Sequence, residues 1–463
     1  MKTFIRVLSG VLLGAILLTF TLWRHDAFPD VSGLVSFLRD TAGRIHALNE
    51  YQADTFLSGT READRNADYQ EYELSEPLDA ELETLICDAL LNYESEVDVS
   101  AKRKTPAEIK RAMTEVRFTH PELFYVDKGY TYSPNGEYVG KLQFQYTTSS
   151  KAEAMAMVAE YQNMLSAIVA NAPVNGTDFD KALYIHDYFI RDYCYDYTYT
   201  IRDAYTFFKQ KTGVCQAYML AMIAVAEELG LQSVPVTSSR MNHAWNLVEL
   251  DGAWYHMDIT WDDTVSYPSY VSYQYFLQSD VGIVDIDRDR VNANQPVPDW
   301  HCDWSTIQAA NDSRYDDAVW RTCQTPMVKG NGAYHCVITQ KESGLNSVSG
   351  AVYSGADPTA MTKNFSVNGT WRLPDGNHYY VDCYTGLAVW GDQLIYNTPN
   401  SLRSYDLKTG KDKMLTLLVE INPRSIYGLI GVSESGLLSY VVAYTADPEE
   451  DYPTIEIRTY QLS

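Results

Sequence analysis

The sequence predicts an α+β fold over its first two thirds and an all-β region after about residue 300. Three observations carry that expectation. Helical patterns dominate as far as Leu229 and strands follow them, an order unlike the βαβ alternation of parallel-sheet proteins. Asp251-Gly252, a strong two-residue turn signal, sits between two runs of good strand formers. Beyond residue 300, Gly, Asn and Asp turns recur between short aromatic or β-branched runs, the spacing of an all-β domain. A length of 463 residues suits two to three domains with ample core.

Met1 to Trp23 has the pattern of a targeting segment. Lys2 and Arg6 precede a 17-residue uncharged, mostly apolar run from Val7 to Trp23. The run is long for a simple signal peptide and short for a typical span, so a cleaved signal and an uncleaved anchor are both open. The lack of a clear small-x-small site favours the anchor. Basic residues ahead of the run predict that all that follows is extracytoplasmic, membrane-anchored by the N-terminus or secreted. Residues 24–70 read as a polar stalk with one helical stretch over Val31–Leu48.

A domain over 71–290 comes next, with a helical and β part at 71–175 and a core at 176–290. Helices are expected over Asp79–Tyr93 and Pro106–Thr114. A hairpin of Phe124–Tyr132 and Tyr138–Tyr146 turns at Pro134-Asn135-Gly136. Two more helices cover Lys151–Asn171 and Thr177–Cys194, the second capped by Thr177 or Asp178. Strands near 233–237 and 271–278 accompany the central hairpin. The region 300–463 carries strand patterns at Tyr334–Ile338, Val348–Tyr353, His378–Cys383, Gly386–Trp390, Gln393–Tyr396, Leu402–Asp406, Leu437–Tyr444 and Thr454–Tyr460. Gly391–Lys411 resembles one strand–turn–strand unit of a propeller blade, and a meander, a sandwich or a partial propeller-like array all fit the region.

The candidate chemistry lies in two stretches: T-G-V-C-Q-A-Y-M-L-A-M-I-A-V-A-E-E-L-G (Thr212 to Gly230) and N-H-A-W-N-L-V-E-L-D-G-A-W-Y-H-M-D-I-T-W (Asn242 to Trp261). Thr212 and Gly213 are turn and cap residues, and Gly230 supplies a stop. Cys215 therefore sits in the first turn of a helix, where unpaired N–H groups and the positive dipole end favour a thiolate. Met219, Leu220, Met222, Ile223, Val225 and Leu229 make that helix apolar on nearly every side, so it is expected to be buried and central. Closing the Asp251-Gly252 turn pairs Leu250 with Ala253, sets His243 opposite Thr260 and sets Trp245 opposite Asp258. With a period of two, His243, Trp245, Trp254, His256, Asp258 and Thr260 share one face. His243 and Asp258 become diagonal neighbours about 5–8 Å apart at Cβ, and a one-residue slip would separate them.

A thiol, an imidazole and a carboxylate in this arrangement are the parts of a cysteine nucleophile system. The backbone N–H of Cys215 is the expected oxyanion donor. Tyr218 and Trp245 are expected to line the cleft, and His186 and His256 to be structural.

At these residues the chain resembles the transglutaminase-like superfamily, the papain-like fold shared by transglutaminases and many microbial cysteine peptidases. The resemblance runs through V-C-Q-A-Y (Val214–Tyr218), H-A-W-N (His243–Asn246) and D-G-A-W-Y-H-M-D-I-T-W-D-D (Asp251–Asp263). A-L-Y-I-H-D-Y (Ala182–Tyr188), Tyr195-Asp196 and P-E-L-F-Y-V-D (Pro121–Asp127) are similar to segments of bacterial members, so the likeness covers about residues 70–280. It implies a central nucleophile helix packed on an antiparallel sheet, with Cys215 as nucleophile, His243 as general base and acid, and Asp258 as orienting acid. One departure is Ala217, where relatives usually have glycine; its methyl is expected to narrow the cleft.

Composition limits the partners. A net charge of −25, from 36 basic and 61 acidic residues, argues against nucleic acid and anionic membrane surfaces. Membrane contact is expected only through the N-terminal segment. The 36 tyrosines suit sheet packing, or a groove for peptide or glycan. Setting Cys215 aside leaves Cys87, Cys194, Cys302, Cys323, Cys336 and Cys383, either free or joined in up to three bridges. No Cys-x-x-Cys or paired Cys/His spacing suggests zinc, and no cofactor is expected. Asp258, Asp262 and Asp263 lack an EF-hand pattern and read as a solvated acidic loop. The function implied is a cysteine-dependent amide-bond enzyme, a peptidase or amidase with water as acceptor or a transglutaminase with an amine, acting on a protein, a peptide or cell-wall peptide. The other reading is a catalytically idle scaffold that binds peptides or glycans through its β region, which the retained Cys, His and Asp argue against.

Overall fold

The computed structural model describes residues 79–238, 242–263, 271–283, 309–323, 325–341, 348–368, 384–418, 424–444 and 454–462. The targeting segment, the stalk, Cys302 and the strand expected at His378–Cys383 lie outside them.

Helix α1 (Ala80–Leu91) starts where the Asp79 carboxylate accepts the Leu82 N–H at 3.0 Å. Helix α2 (Pro106–Thr119) opens on a capping box between Thr105 and Glu108. It runs past the expected end at Thr114 because Val116 and Phe118 extend its buried face. Strands β1 (Glu96–Asp98), β2 (Val126–Asn135) and β3 (Tyr138–Tyr146) form a sheet in the order β1-β3-β2. Leu82, Ile86, Ile109, Val116 and Leu142 close a first core between this sheet and the two helices.

The larger core is built on helices α3 (Lys151–Val169), α4 (Asp178–Asp192), α5 (Ala204–Gln210) and α6 (Cys215–Glu228). Thr177 and Asp180 make a capping box at the start of α4. The seven-residue α5 is too short for a helical period to stand out in sequence, and its Phe207 and Phe208 are buried. Just ahead of α6, β4 (Cys194–Tyr195) and β5 (Thr212–Gly213) form a two-residue parallel pair. Gly213 is needed there: a Cβ would lie 2.7 Å from both Ala217 Cβ and Phe207 Cδ2. Gly213→Ala is therefore expected to destabilise the fold by about 1–3 kcal/mol, read as a lowered midpoint in urea at unchanged slope.

A second antiparallel sheet has the order β6 (Ser233–Ser238), β7 (His243–Leu250), β8 (Ala253–Met257), β9 (Phe276–Gln278). Its central hairpin turns at Asp251 (φ +52°) and Gly252 (φ +81°), left-handed conformations that suit this dipeptide. Leu250 pairs with Ala253 and Asn246 with Met257, the register expected from the turn. The ladder stops at Met257, where Asp258 becomes the N-cap of the short helix α7 (Ile259–Asp262), so Thr260 does not oppose His243 as a strand residue. Helix α6 packs on this sheet with Ala217, Ala221, Ala244, Val248 and Met257 in one core, and Asn246 Nδ2 donates to the Met219 carbonyl at 3.2 Å.

Three antiparallel meanders follow. The first is β10 (Val328–Gly330), β11 (Ala333–Lys341), β12 (Val348–Gly355) and β13 (Thr362–Asn368). The second is β14 (Leu387–Trp390), β15 (Gln393–Asn397), β16 (Ser401–Asp406) and β17 (Asp412–Leu417), and the third is β18 (Ser425–Val432), β19 (Leu437–Tyr444) and β20 (Thr454–Gln461). Each strand pairs with its neighbours in sequence within its sheet, and no closed barrel forms among the described residues. Val337, Val352, Leu387, Leu394, Tyr427 and Val441 bury one another between the sheets. The blade-like unit at Gly391–Lys411 is β15 and β16, with Leu394 opposite Tyr405. Strand β17 gave no sequence signal because its residues are exposed or half-buried throughout.

The β region begins on the core built around α6. Tyr315, Trp320, Tyr334, Cys336 and Ile338 belong to the same buried cluster as α6. Arg321 seals this seam. Its Nε donates to the carbonyls of Tyr315 and Asp316 at 2.9 and 2.8 Å, and Nη1 and Nη2 donate to Phe276 and Leu277 at 2.9 and 2.8 Å. Arg321→Met would leave those acceptors short of donors, so a loss of about 3 kcal/mol is expected on denaturant unfolding. Cys87, Cys194, Cys215, Cys323 and Cys336 are free thiols.

Candidate active site

Cys215 is the first residue of α6, and Val214, the N-cap, has no capping side chain. The Cys215 N–H therefore has no intrahelical acceptor and points with the positive end of the helix toward the sulfur side. The thiol is half-buried. His243 is the first residue of β7. Its face of the strand, shared with Trp245 and Leu247, looks away from the body of α6, which packs against Ala244 and Val248. Both groups are terminal, one at a helix start and one at a strand start, and the Cys215 sulfur is near enough to the imidazole to help raise its pKa.

Asp258 is wholly buried. Its Oδ2 lies 2.5 Å from His243 Nε2, and its Oδ1 accepts the Trp261 N–H at 3.1 Å. With Nε2 committed to Asp258, Nδ1 is the nitrogen left for sulfur. Burial alone would lower the His243 pKa. The charge and hydrogen bond of Asp258, aided by the Cys215 sulfur, outweigh it and raise the imidazole to about 10. Two indoles stack on the ring, Trp261 at 4.8 Å and Trp245 at 5.6 Å between centroids, and their faces favour the charged form. Trp261 was given no role from sequence; its position three residues after Asp258, on the first turn that Asp258 caps, was the available signal.

Tyr218 and Trp245, expected in the cleft, are buried instead. The Tyr218 hydroxyl donates to Asp263, and its ring packs on Phe207 at 4.6 Å. Trp245 Nε1 donates to His256 Nδ1 at 2.9 Å. An indole N–H can only donate, so His256 Nδ1 is unprotonated and Nε2 carries the hydrogen toward Asp280 at 2.9 Å. Trp245 is thus a fixed backing for His243. The Ala217 methyl also points inward, wholly buried against Gly213, and leaves the cleft unchanged.

The acidic loop differs from its expectation as well. Asp262 is wholly buried: Oδ1 accepts from Ser272 Oγ at 2.7 Å and the Gln274 N–H at 2.8 Å, and Oδ2 accepts the Tyr275 N–H at 2.9 Å. His186 Nε2 lies 3.2 Å from the same carboxylate, and its Nδ1 lies 3.0 Å from Asp187. Burial pulls His186 down, but the two carboxylates raise its pKa overall. The Tyr275 carbonyl in turn accepts the Asp258 N–H at 3.1 Å, so this buried cluster seats the third member of the site. Sequence alone could not pair His186 with a residue 76 positions away.

Residues 165–259 match the family model of the transglutaminase-like superfamily. The chain carries a transglutaminase-like core domain. That core holds Cys215, His243 and Asp258 within its matched span, on α6, β7 and the turn after β8. None of the curated proteins matches the chain. The transglutaminase-like region thus combines a half-buried sulfur at an open helix end with a buried, carboxylate-bound imidazole. Such a set can form an acyl-enzyme and resolve it.

Proposed function

We propose that this protein is an extracytoplasmic cysteine-dependent enzyme acting on amide bonds of proteins or peptides, cell-wall peptides included. The supporting observation is the setting of His243, with Asp258 on one ring nitrogen and the Cys215 sulfur near enough to help raise its pKa. In this reading Cys215 sulfur attacks the amide carbonyl, and the oxyanion gathers at the Cys215 N–H and the α6 dipole. The imidazolium of His243 gives its proton to the leaving amine, and a thioester remains. His243 then takes a proton from the acceptor, and the thioester breaks. Water gives a peptidase or amidase, and a primary amine gives a transglutaminase. The pattern at Met1–Trp23 supports export, either anchored or secreted.

A labelled primary amine, offered with casein-like proteins and with peptidoglycan-like peptides, separates the two acceptors. Label in the protein indicates amine transfer, and new amino termini without label indicate hydrolysis. Turnover of neither substrate, with Cys215 alkylating no faster than buried Cys336, would overturn the reading.

A further inference from the structure

His186 is wholly buried on α4, and each of its ring nitrogens lies on a carboxylate, Nδ1 at 3.0 Å from Asp187 Oδ1 and Nε2 at 3.2 Å from Asp262 Oδ2. An ionised carboxylate only accepts, so both nitrogens carry hydrogen and the ring is an imidazolium. Asp262 is saturated in turn. Ser272 Oγ and the Gln274 N–H fill its Oδ1, and the Tyr275 N–H and His186 fill its Oδ2. Without the imidazolium, this buried carboxylate would be left as an uncompensated charge.

Asp258 is tied to that carboxylate by a closed ring of hydrogen bonds. The Asp258 N–H donates to the Tyr275 carbonyl at 3.1 Å, and the Tyr275 N–H donates to Asp262 Oδ2 at 2.9 Å. The Asp262 N–H donates back to the Asp258 carbonyl at 3.2 Å. On the far side of His186 the chain of bonds reaches the β region. The Tyr273 hydroxyl donates to Asp187 Oδ2 at 2.9 Å and accepts the N–H of Met327, the residue before β10, at 2.8 Å. Asp262, Tyr273 and Met327 all lie beyond the span 165–259 that matches the family model.

We infer that His186 and Tyr273 are positioning residues that fix Asp258 against His243, and that the β region, through the Met327 N–H, anchors the relay they form. The inference rests on the amide-bond reading for its place in a reaction. Its physical basis is rigidity. Asp258 orients His243 through a single carboxylate oxygen at 2.5 Å, and its other oxygen is already held by the Trp261 N–H. A shift of the Tyr275 backbone therefore moves the whole of Asp258, and small misplacements at such a contact are costly to the rate. The β region then has a part in the chemistry as well as in covering the α6 core.

The test uses the full chain carrying isotope-labelled histidine. The His243 ring signal, identified by its loss in His243→Gln, is followed by NMR against pH. In the parent its midpoint is expected near pH 10. His186→Gln keeps an N–H for Asp262 but no charge, and is expected to lower that midpoint by about one unit; Tyr273→Phe should lower it by about half a unit. On the substrate that the parent turns over, kcat is expected to fall roughly tenfold in His186→Gln with KM unchanged. Lys329→Met is the control. Lys329 Nζ also joins the β region to α4, donating to Asp180 Oδ1 and Oδ2 at 2.7 and 2.6 Å, and it lies outside the relay. Its loss should leave the His243 midpoint in place. If His186→Gln does not fold, Tyr273→Phe, which removes one hydroxyl, decides alone. A midpoint unmoved or raised in the relay variants, or lowered as far by Lys329→Met, would overturn the inference. A parent without turnover overturns the amide-bond reading instead, and the His243 titration still decides the relay.

Discussion

Cys215→Ala is expected to lower kcat of the amide-bond reaction by about 10⁶-fold, to the level that oxyanion and binding contacts alone sustain. The reason is chemical. Without sulfur, no thioester forms, and water must attack the amide directly. The side chain is half-buried at a helix start, so its truncation should change unfolding free energy by no more than about 1 kcal/mol. Activity and stability are therefore separable in this variant. The measurement is turnover of whichever substrate class responds, beside a urea titration. Residual turnover within tenfold of the parent would remove Cys215 from the mechanism.

Asp258→Asn is expected to lower kcat by about 10⁴-fold while keeping the shape of the site. An amide can present its NH₂ to the ring and favour the wrong tautomer. It also removes the charge that, against the desolvation of burial, lifts His243 to about 10. The sign is fixed by that lift. A folded-state pKa above the unfolded value of about 6.5 means that the protonated form is the stabilised one. Its contribution to stability is full below about pH 6.5 and fades as pH rises toward about 10. The parent should thus keep activity into alkaline solution, with an alkaline limb of kcat/KM near pH 10, and the variant's limb should move toward neutrality. An unmoved limb would mean that a different group titrates there.

The parts of this molecule that were legible in its sequence are those set by near neighbours. Cys215 at a helix start followed from Thr212-Gly213 and the apolar run after it. The β7–β8 register followed from Asp251-Gly252, because a two-residue turn leaves one pairing. The burial of Trp245, Tyr218 and Asp262 did not follow. A cleft wall and a backing residue have the same composition, and only the partners His256, Asp263 and His186 tell them apart. Those partners come from other elements. The same limit hid Arg321, whose acceptors are backbone carbonyls and leave no mark on side-chain pattern.

The core shared by α6 and the first meander bears on how such a protein can be inherited. Trp320, Tyr334 and Ile338 fill space that Phe179 and Phe276 would otherwise open to water, and Arg191 of α4 reaches the Ile430 carbonyl in the third meander. A lineage that traded its C-terminal third for another module at residue 300 would strip the α6 core of part of its own interior. Met361 is the last described residue of that core, so the interchangeable piece can begin only after the first meander, which ends at Asn368. Descendants should accordingly keep the first meander with α6 and vary beyond it.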